Sequence, residues 1–225
     1  MYAVKHFGRN QVRAANDPAV LALFPAIHPE GGREEAALVG VVQALVALVE
    51  ARDHLTGQHS HQVAALALQV ALALGWPTSE AQMLALAGQL YDIGKVAIPE
   101  TILQKPGTLT AQEWDVMRTH PMVGADVVSH IPALRPLAPI IRAHHERWDG
   151  QGYPDQLAGE VIPVGARILA AVDAYLTMIV DRPYQQASAP AAAVAELCRC
   201  AGSQFDPQVV DVLVGLLRQQ EGGGE

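Results

Sequence analysis

The sequence has few aromatic residues, few cysteines and few positively charged residues, and each shortage excludes a class of protein. Aromatic residues make up 5% of the 225 residues although 50% are hydrophobic, so the core must consist mainly of Ala, Val and Leu, which favours packed helices. The net charge of -8 argues against general binding to DNA, RNA or anionic membranes. Cys198 and Cys200 lie two positions apart in a helical segment and point to different sides, so we expect no disulfide framework and a reducing, cytoplasmic setting.

Long uninterrupted hydrophobic runs are also missing. The two longest, 36–49 and 63–76, are broken by Gln43 and Gln69, and each is shorter than the roughly 20 residues that span a bilayer. The opening MYAVKHFGRNQVR has no apolar signal region. We therefore expect no membrane contact from this chain.

Apolar residues recur at helical spacing from Arg33 onward, and no segment has convincing strand alternation. The pattern predicts an all-α fold. A capping box, Thr110-Ala-Gln-Glu113, indicates where one helix begins. Other helices are predicted at 33–52, 58–74, 78–94, 121–128, 136–146, 165–180, 190–201 and 207–219, and a loop at 149–162.

The two ends of the chain differ in character from this helical region. Residues 1–16 resemble the C-terminal end of a GGDEF (diguanylate cyclase) domain, with matches at Tyr2, Ala3, Lys5, Gly8, Arg9 and Asn10. The proline- and glycine-rich residues 17–32 are predicted to be a linker, 33–220 the main helical domain, and 221–225 a disordered tail. An upstream GGDEF or sensory domain is therefore an expected partner.

Histidines and carboxylates suitable for metal binding are spread over more than a hundred residues. Each alone has an ordinary explanation: a lone histidine is more often a hydrogen-bonded core residue, and Asp92 could cap a helix end. Asp173 is harder to dismiss, because an unpaired carboxylate in a buried helix is costly. Together the set predicts a site for Mn, Fe or Zn in the interior of a helical bundle. Its members are His59, Asp92, His120, His144, His145 and Asp173.

From about Val41 to Leu213 the chain resembles an HD-GYP domain, a class of HD-superfamily phosphohydrolases. The intact Gly152-Tyr153-Pro154 loop is the diagnostic element. The matching segments are RDHLTGQHS (52–60), DIGKVAIPETILQKPGTLT (92–110), MRTHPMVGA (117–125), HHERWDGQGYP (144–154), IPVGARILAAVDAY (162–175), DRPY (181–184) and GSQFDPQVV (202–210).

The resemblance implies a metal centre that hydrolyses cyclic di-GMP to linear pGpG and often on to GMP. The family's metal ligands fall on the six residues given above, and Asp92 would bridge two ions about 4 Å apart. Lys95 matches a lysine that steadies a substrate phosphate, Arg182 a substrate-contacting arginine, and Gly152 and Tyr153 the loop that closes over the site. Asp92 and Lys95 are thus the expected catalytic residues. The sequence leaves a homodimer open.

This chain departs from the family pattern at the His-Asp pair, which here is Tyr91-Asp92. A phenol must ionise before it binds a metal, at a cost near 4 kcal/mol at pH 7. Leu55 stands where members with a third ion carry Glu, Gln185 where a basic residue is often found, and 176–180 departs from the usual Asp-Ala-Leu-Thr-Ser continuation. We expect one or two divalent transition-metal ions, Fe or Mn first and Zn next, with one bound firmly.

Two functions follow from this reading. The first is a cyclic di-GMP phosphodiesterase with a weakened second metal site. The second is a catalytically degenerate module that binds cyclic di-GMP or a protein partner. A nucleotidase or other HD phosphohydrolase is disfavoured, because those lack the loop that begins at His144.

Overall fold

The computed structural model describes residues 40–48, 56–180 and 187–222. Its α-helices are α1 (40–48), α2 (Thr56–Ala73), α3 (Thr78–Leu90), α4 (Glu100–Leu103), α5 (Ala111–Met117), α6 (His120–Ser129), α7 (Ala138–Ala143), α8 (Val164–Met178), α9 (Pro190–Cys200) and α10 (Pro207–Gly222). Short 3-10 turns lie at Ile93–Ala97, Arg135–Leu137 and Gly159–Val161.

The all-α prediction is confirmed for the residues described. Their strand-like pairing is limited to an isolated bridge between Ala201 and Phe205. None of the helices searched is long and apolar enough to cross a membrane. The predicted segments 1–16 and 17–32 lie outside the described residues, as do 33–39, most of the tail and Arg182, so the predicted domain boundaries remain predictions.

The core is built from aliphatic side chains, as the shortage of aromatic residues requires. α2 packs along α3 and α8, while α6 packs against α7 and the turn Ile93–Ala97. The largest fully buried side chains are all leucine or isoleucine: Leu84, Leu90, Ile93, Ile98, Leu134, Leu137, Ile141, Ile162, Ile168, Leu169, Leu197 and Leu213. Burial of this apolar surface holds the helix ends near one another.

Two local predictions have different outcomes. The capping box is present, because the Thr110 hydroxyl accepts from the Glu113 amide and the Glu113 carboxylate accepts from the Thr110 amide. The expected stop of the third helix at Gly94 is wrong. α3 ends at Leu90, and the chain tightens into the 3-10 turn Ile93–Ala97.

Gly94 accounts for this change of path. A side chain there would collide with the carbonyl oxygen of His120, because the backbone of the turn lies directly against the start of α6. Only glycine permits that approach. The contact brings Asp92, two residues before Gly94, next to His120 without a long loop.

We predict that Gly94→Ala destabilises the protein by about 1–3 kcal/mol or more, because backbone atoms rather than a flexible side chain must shift. Urea unfolding followed by circular dichroism measures this. Gly215→Ala is the matched control, since Gly215 lies in α10 and a Cβ added there would meet no neighbouring atom within 4 Å. It should leave stability unchanged or raise it by up to about 1 kcal/mol. Equal behaviour of the two variants would contradict the proposed close contact.

Candidate metal centre

The six candidate ligands come from five separate parts of the fold, most of them at helix ends. His59 lies in the first turn of α2, and Asp92 precedes the turn Ile93–Ala97. His120 is the first residue of α6, whereas His144 and His145 follow the last residue of α7. Asp173 lies within α8. The bundle converts positions far apart in sequence into neighbours.

Three histidines form one compact cluster. The ligand atoms that His120, His144 and His145 can offer all lie within 4.8 Å of one another. The His144 and His145 rings are 4.1 Å apart between centroids, and each is also in ring contact with His120. His120 and His144 are buried, so their polar atoms require partners within the protein or a bound ligand.

Backbone carbonyls determine the tautomers of two of these histidines. His120 Nδ1 lies 2.8 Å from the carbonyl oxygen of Met117, and His144 Nδ1 lies 2.6 Å from that of Ile141. A carbonyl oxygen can only accept, so both Nδ1 atoms must carry hydrogen. In the neutral rings both Nε2 atoms therefore present lone pairs, and these two atoms are 3.3 Å apart. Two acceptors this close repel each other, and their separation suits adjacent ligands of one metal ion.

Burial keeps these rings neutral. It is the main cause that lowers the pKa of His144 to about 4 and the pKa of His145 well below its ordinary value. The pKa of His120 is lowered for the same reason, with Asp92 acting in the opposite direction. Neutral imidazole is the form that binds metal ions, so each of the three rings can offer one nitrogen lone pair at neutral pH.

Asp92 adds a negative charge to the same place. Its Oδ1 lies 3.4 Å from His120 Nε2, and its Oδ2 accepts a hydrogen bond of 2.8 Å from Lys95 Nζ. Burial alone would raise the pKa of Asp92, but the Lys95 ammonium, His120 and His144 together outweigh it and hold that pKa below the ordinary value. The carboxylate is therefore ionised next to His120, at the edge of the three-histidine cluster, and imidazole nitrogens together with a carboxylate oxygen suit Mn, Fe or Zn.

A second group forms around Asp173 and is arranged differently. Asp173 Oδ1 lies 2.7 Å from His59 Nε2 and accepts a 3.0 Å hydrogen bond from the Tyr91 hydroxyl. Burial raises the pKa of Asp173, but the hydrogen bond and charge of His59 reverse this and lower it. Here a carboxylate oxygen is already supplied with donors. Unlike the facing nitrogens of the three-histidine cluster, Asp173 Oδ1 already faces donors within the protein.

The glycine-containing loop lies against the histidine pair. The Tyr153 ring stacks on the His145 ring, with centroids 4.8 Å apart and planes 27° apart. At Gly152 a side chain would strike the backbone of Glu146 and Arg147, so glycine is needed for the loop to fold back on its own start. The loop thereby places an aromatic ring over one side of the cluster.

Glu146 fixes this loop, a role the sequence reasoning missed. Its buried carboxylate accepts hydrogen bonds from the amides of Asp155 (2.7 Å) and Leu157 (3.1 Å). The available signal was its position directly after His144-His145, within the segment HHERWDGQGYP. Because Glu146 directly follows His145, its hydrogen bonds to the loop also hold the loop close to the histidines.

The HD domain family model matches residues 43–209, which is most of the chain. The chain belongs to the HD-domain family. In this HD domain, the helical bundle brings histidines and carboxylates from separate helices close together. The histidines of the cluster can hold a metal ion.

Several known proteins are similar to this HD domain. The cyclic di-GMP phosphodiesterase response regulator RpfG of Xanthomonas campestris pv. campestris is 40% identical over 172 residues, covering 76% of this chain and 46% of that protein. The 3'3'-cGAMP-specific phosphodiesterase 2 of Vibrio cholerae is 38% identical over 176 residues, covering 77% of this chain and 34% of that protein. The chain thus spans less than half the length of these relatives.

A crystal structure of a cyclic GMP-AMP-specific phosphodiesterase from V. cholerae has the same fold. It superposes with a TM-score of 0.61 at 20% identity, over 79% of this chain and 48% of that one. The sequence identity is low, so this similarity concerns the arrangement of helices rather than the chemistry.

We predict that His144→Gln weakens the binding of the first metal ion by at least about tenfold, since it removes one of the facing nitrogens. Titration of chelator-treated protein with Mn, Fe(II) or Zn, followed by elemental analysis, measures this. His130→Gln is the matched control. His130 is exposed, ends α6 and has its own Nδ1 contact with the carbonyl of Asp126. Equal metal affinity in the two variants would exclude the cluster as the binding site.

Proposed function

We propose that this HD domain is a metal-dependent phosphodiesterase that hydrolyses cyclic di-GMP to pGpG, GMP or both, with a weakened second metal site. The observation that carries the proposal is the pair of facing Nε2 lone pairs of His120 and His144, next to the ionised Asp92. The names of the relatives support a cyclic dinucleotide as substrate. A cytoplasmic location fits a nucleotide of this kind.

The proposed ligands divide into two groups that share Asp92. His120, His144, His145 and Asp92 would hold the first ion, one of Fe, Mn or Zn. His59, Asp173 and Asp92 would hold a second ion, with Tyr91 at the position of an imidazole. A bound divalent ion would lower the pKa of a water molecule and neutralise charge that develops on phosphoryl oxygens.

The remaining site residues would position the substrate. Lys95 holds the Asp92 carboxylate through a 2.8 Å hydrogen bond and adds positive charge where a phosphate would lie. Tyr153, stacked on His145, would cover the reacting phosphate and exclude water from that side. Gly152 and Arg182 complete the proposed substrate contacts, Arg182 by resemblance to the family alone.

One specific observation favours a second function, a cyclic di-GMP-binding or protein-interaction module without turnover. The Tyr91 hydroxyl and His59 Nε2 both contact the same oxygen of Asp173. A second ion that used His59 and Tyr91 as ligands would have to break these contacts and ionise the phenol, at a cost near 4 kcal/mol at pH 7. If hydrolysis requires two ions, this group would leave ligand binding intact and stop turnover.

We also propose partners for this domain. A GGDEF-like segment at 1–16 would connect the domain to an upstream signalling or sensory region, and a homodimer would be one way to transmit the signal. The net charge of -8 makes DNA and RNA unsuitable partners.

We predict that Tyr91→His raises the number of tightly bound ions from one to two and increases hydrolysis of cyclic di-GMP by at least about tenfold. The reason is that neutral imidazole binds a divalent ion without first losing a proton at pH 7. Elemental analysis and separation of the linear products, each with Mn, Fe and Zn, measure the two quantities.

Tyr91→Phe is the control for this experiment, because it removes the hydroxyl without adding a ligand. It should still bind one ion and gain no activity. A wild-type protein with two firmly held divalent ions would contradict the weakened second site. Activity that appears only in Tyr91→His would favour the binding module over the enzyme, and absence of activity in both despite full loading would count against the phosphodiesterase.

A further inference from the structure

A row of planar groups leads from the histidine cluster to the protein surface. It begins with His145 stacked on Tyr153. The guanidinium carbon of Arg118 lies 5.7 Å from the Tyr153 ring centroid and 6.0 Å from the centroid of the Trp114 ring. Arg118 therefore lies between two aromatic rings, one beside the candidate site and one at the surface.

The outer two members of this row are available for contact. The Trp114 side chain is 45% exposed although it is large and apolar. Arg118 is 54% exposed, and its nearest carboxylate contact is a long one of 3.9 Å to Asp115 Oδ1. By contrast, Arg142, Arg147 and Arg167 each make a carboxylate contact of 2.6–2.7 Å. Among the described residues, Arg118 has no carboxylate contact as short as these, so its planar set of donors is available to a ligand.

A flat aromatic surface next to a guanidinium group matches the chemistry of a purine base. Indole and guanidinium faces both stack on bases, and such stacking needs no particular base. The guanidinium edge can also distinguish guanine from adenine. It donates to O6 and N7 of guanine, whereas adenine presents an amino group at the position of O6. A cyclic dinucleotide carries two bases, and only the reacting phosphate needs to approach the histidines.

We infer that Trp114 and Arg118 form a base-binding platform at the edge of the candidate site, where Trp114 stacks on one purine and Arg118 selects guanine over adenine. This inference rests on the proposed cyclic dinucleotide substrate and assigns its base preference to two residues outside the ligand set. The platform would favour cyclic di-GMP over 3'3'-cGAMP only moderately, since the mixed dinucleotide still offers one guanine. Cyclic di-AMP would bind the weakest.

The test is equilibrium binding of phosphorothioate analogues of cyclic di-GMP, 3'3'-cGAMP and cyclic di-AMP to the metal-loaded protein, by calorimetry and tryptophan fluorescence. Trp114→Ala should weaken all three by about tenfold or more. Arg118→Gln should reduce the preference for cyclic di-GMP over cyclic di-AMP by about tenfold. Arg118→Lys should behave like Arg118→Gln, because lysine keeps the charge but not the planar pair of donors.

Two matched variants serve as controls. Arg199→Gln removes an exposed arginine of α9 that pairs with a carboxylate three residues away, as Arg118 does. It should leave all three affinities unchanged. The chain has three tryptophans. Quenching by bound nucleotide should disappear in Trp114→Phe and persist in Trp76→Phe.

The possible failures are distinguishable. Binding of the dinucleotides by the wild type, with unchanged affinities in the Trp114 and Arg118 variants, would overturn the platform and leave the proposed function standing. Equal weakening of all three ligands by Arg118→Gln, with rescue by Arg118→Lys, would mean that Arg118 contacts a phosphate, and guanine selection would be wrong. A wild type that neither binds nor hydrolyses any of the three would overturn the proposed function together with the inference.

Discussion

The candidate site depends on the repulsion between two lone pairs. His120 and His144 each donate through Nδ1 to a carbonyl three residues earlier in the chain, and this forces both Nε2 atoms to be acceptors at close range. Helix geometry provides those carbonyls, since each histidine lies at a helix end where backbone acceptors remain open. Without a positive charge between them, the arrangement would cost free energy in a buried setting. Metal binding and the fold are therefore linked through the backbone.

The two halves of the site differ in the balance of donors and acceptors rather than in the number of possible ligands. Around His120, the Nε2 acceptors of His120 and His144 face each other. Around Asp173, His59 and Tyr91 both donate to one carboxylate oxygen. An imidazole at position 91 could offer its lone pair, but a neutral phenol offers a proton. One residue, Tyr91, thus distinguishes the facing acceptors around His120 from a group around Asp173 in which the carboxylate oxygen already faces donors.

Much of the site could be predicted from the sequence because its members are rare residue types at helix ends. A carboxylate within an apolar helix, such as Asp173, and the adjacent His144 and His145 stand out in an apolar, lysine-poor chain. Helix existence followed from the period of the apolar residues. The end of α3 did not, because it depends on the contact of Gly94 with His120, which is remote in sequence. The hydrogen bond from Tyr91 to Asp173 and the row from Tyr153 to Trp114 depend on packing in the same way.

Glu146 joins two parts of the site that are usually considered separately. It follows His145 in the chain, and its carboxylate binds the amides of Asp155 and Leu157 on the far side of the loop. The histidine pair 144–145 and the loop that lies over it consequently belong to one continuous segment of the chain. A displacement of the loop would therefore move the neighbouring His145 imidazole as well, so the position of the loop and the geometry of the histidine cluster are coupled.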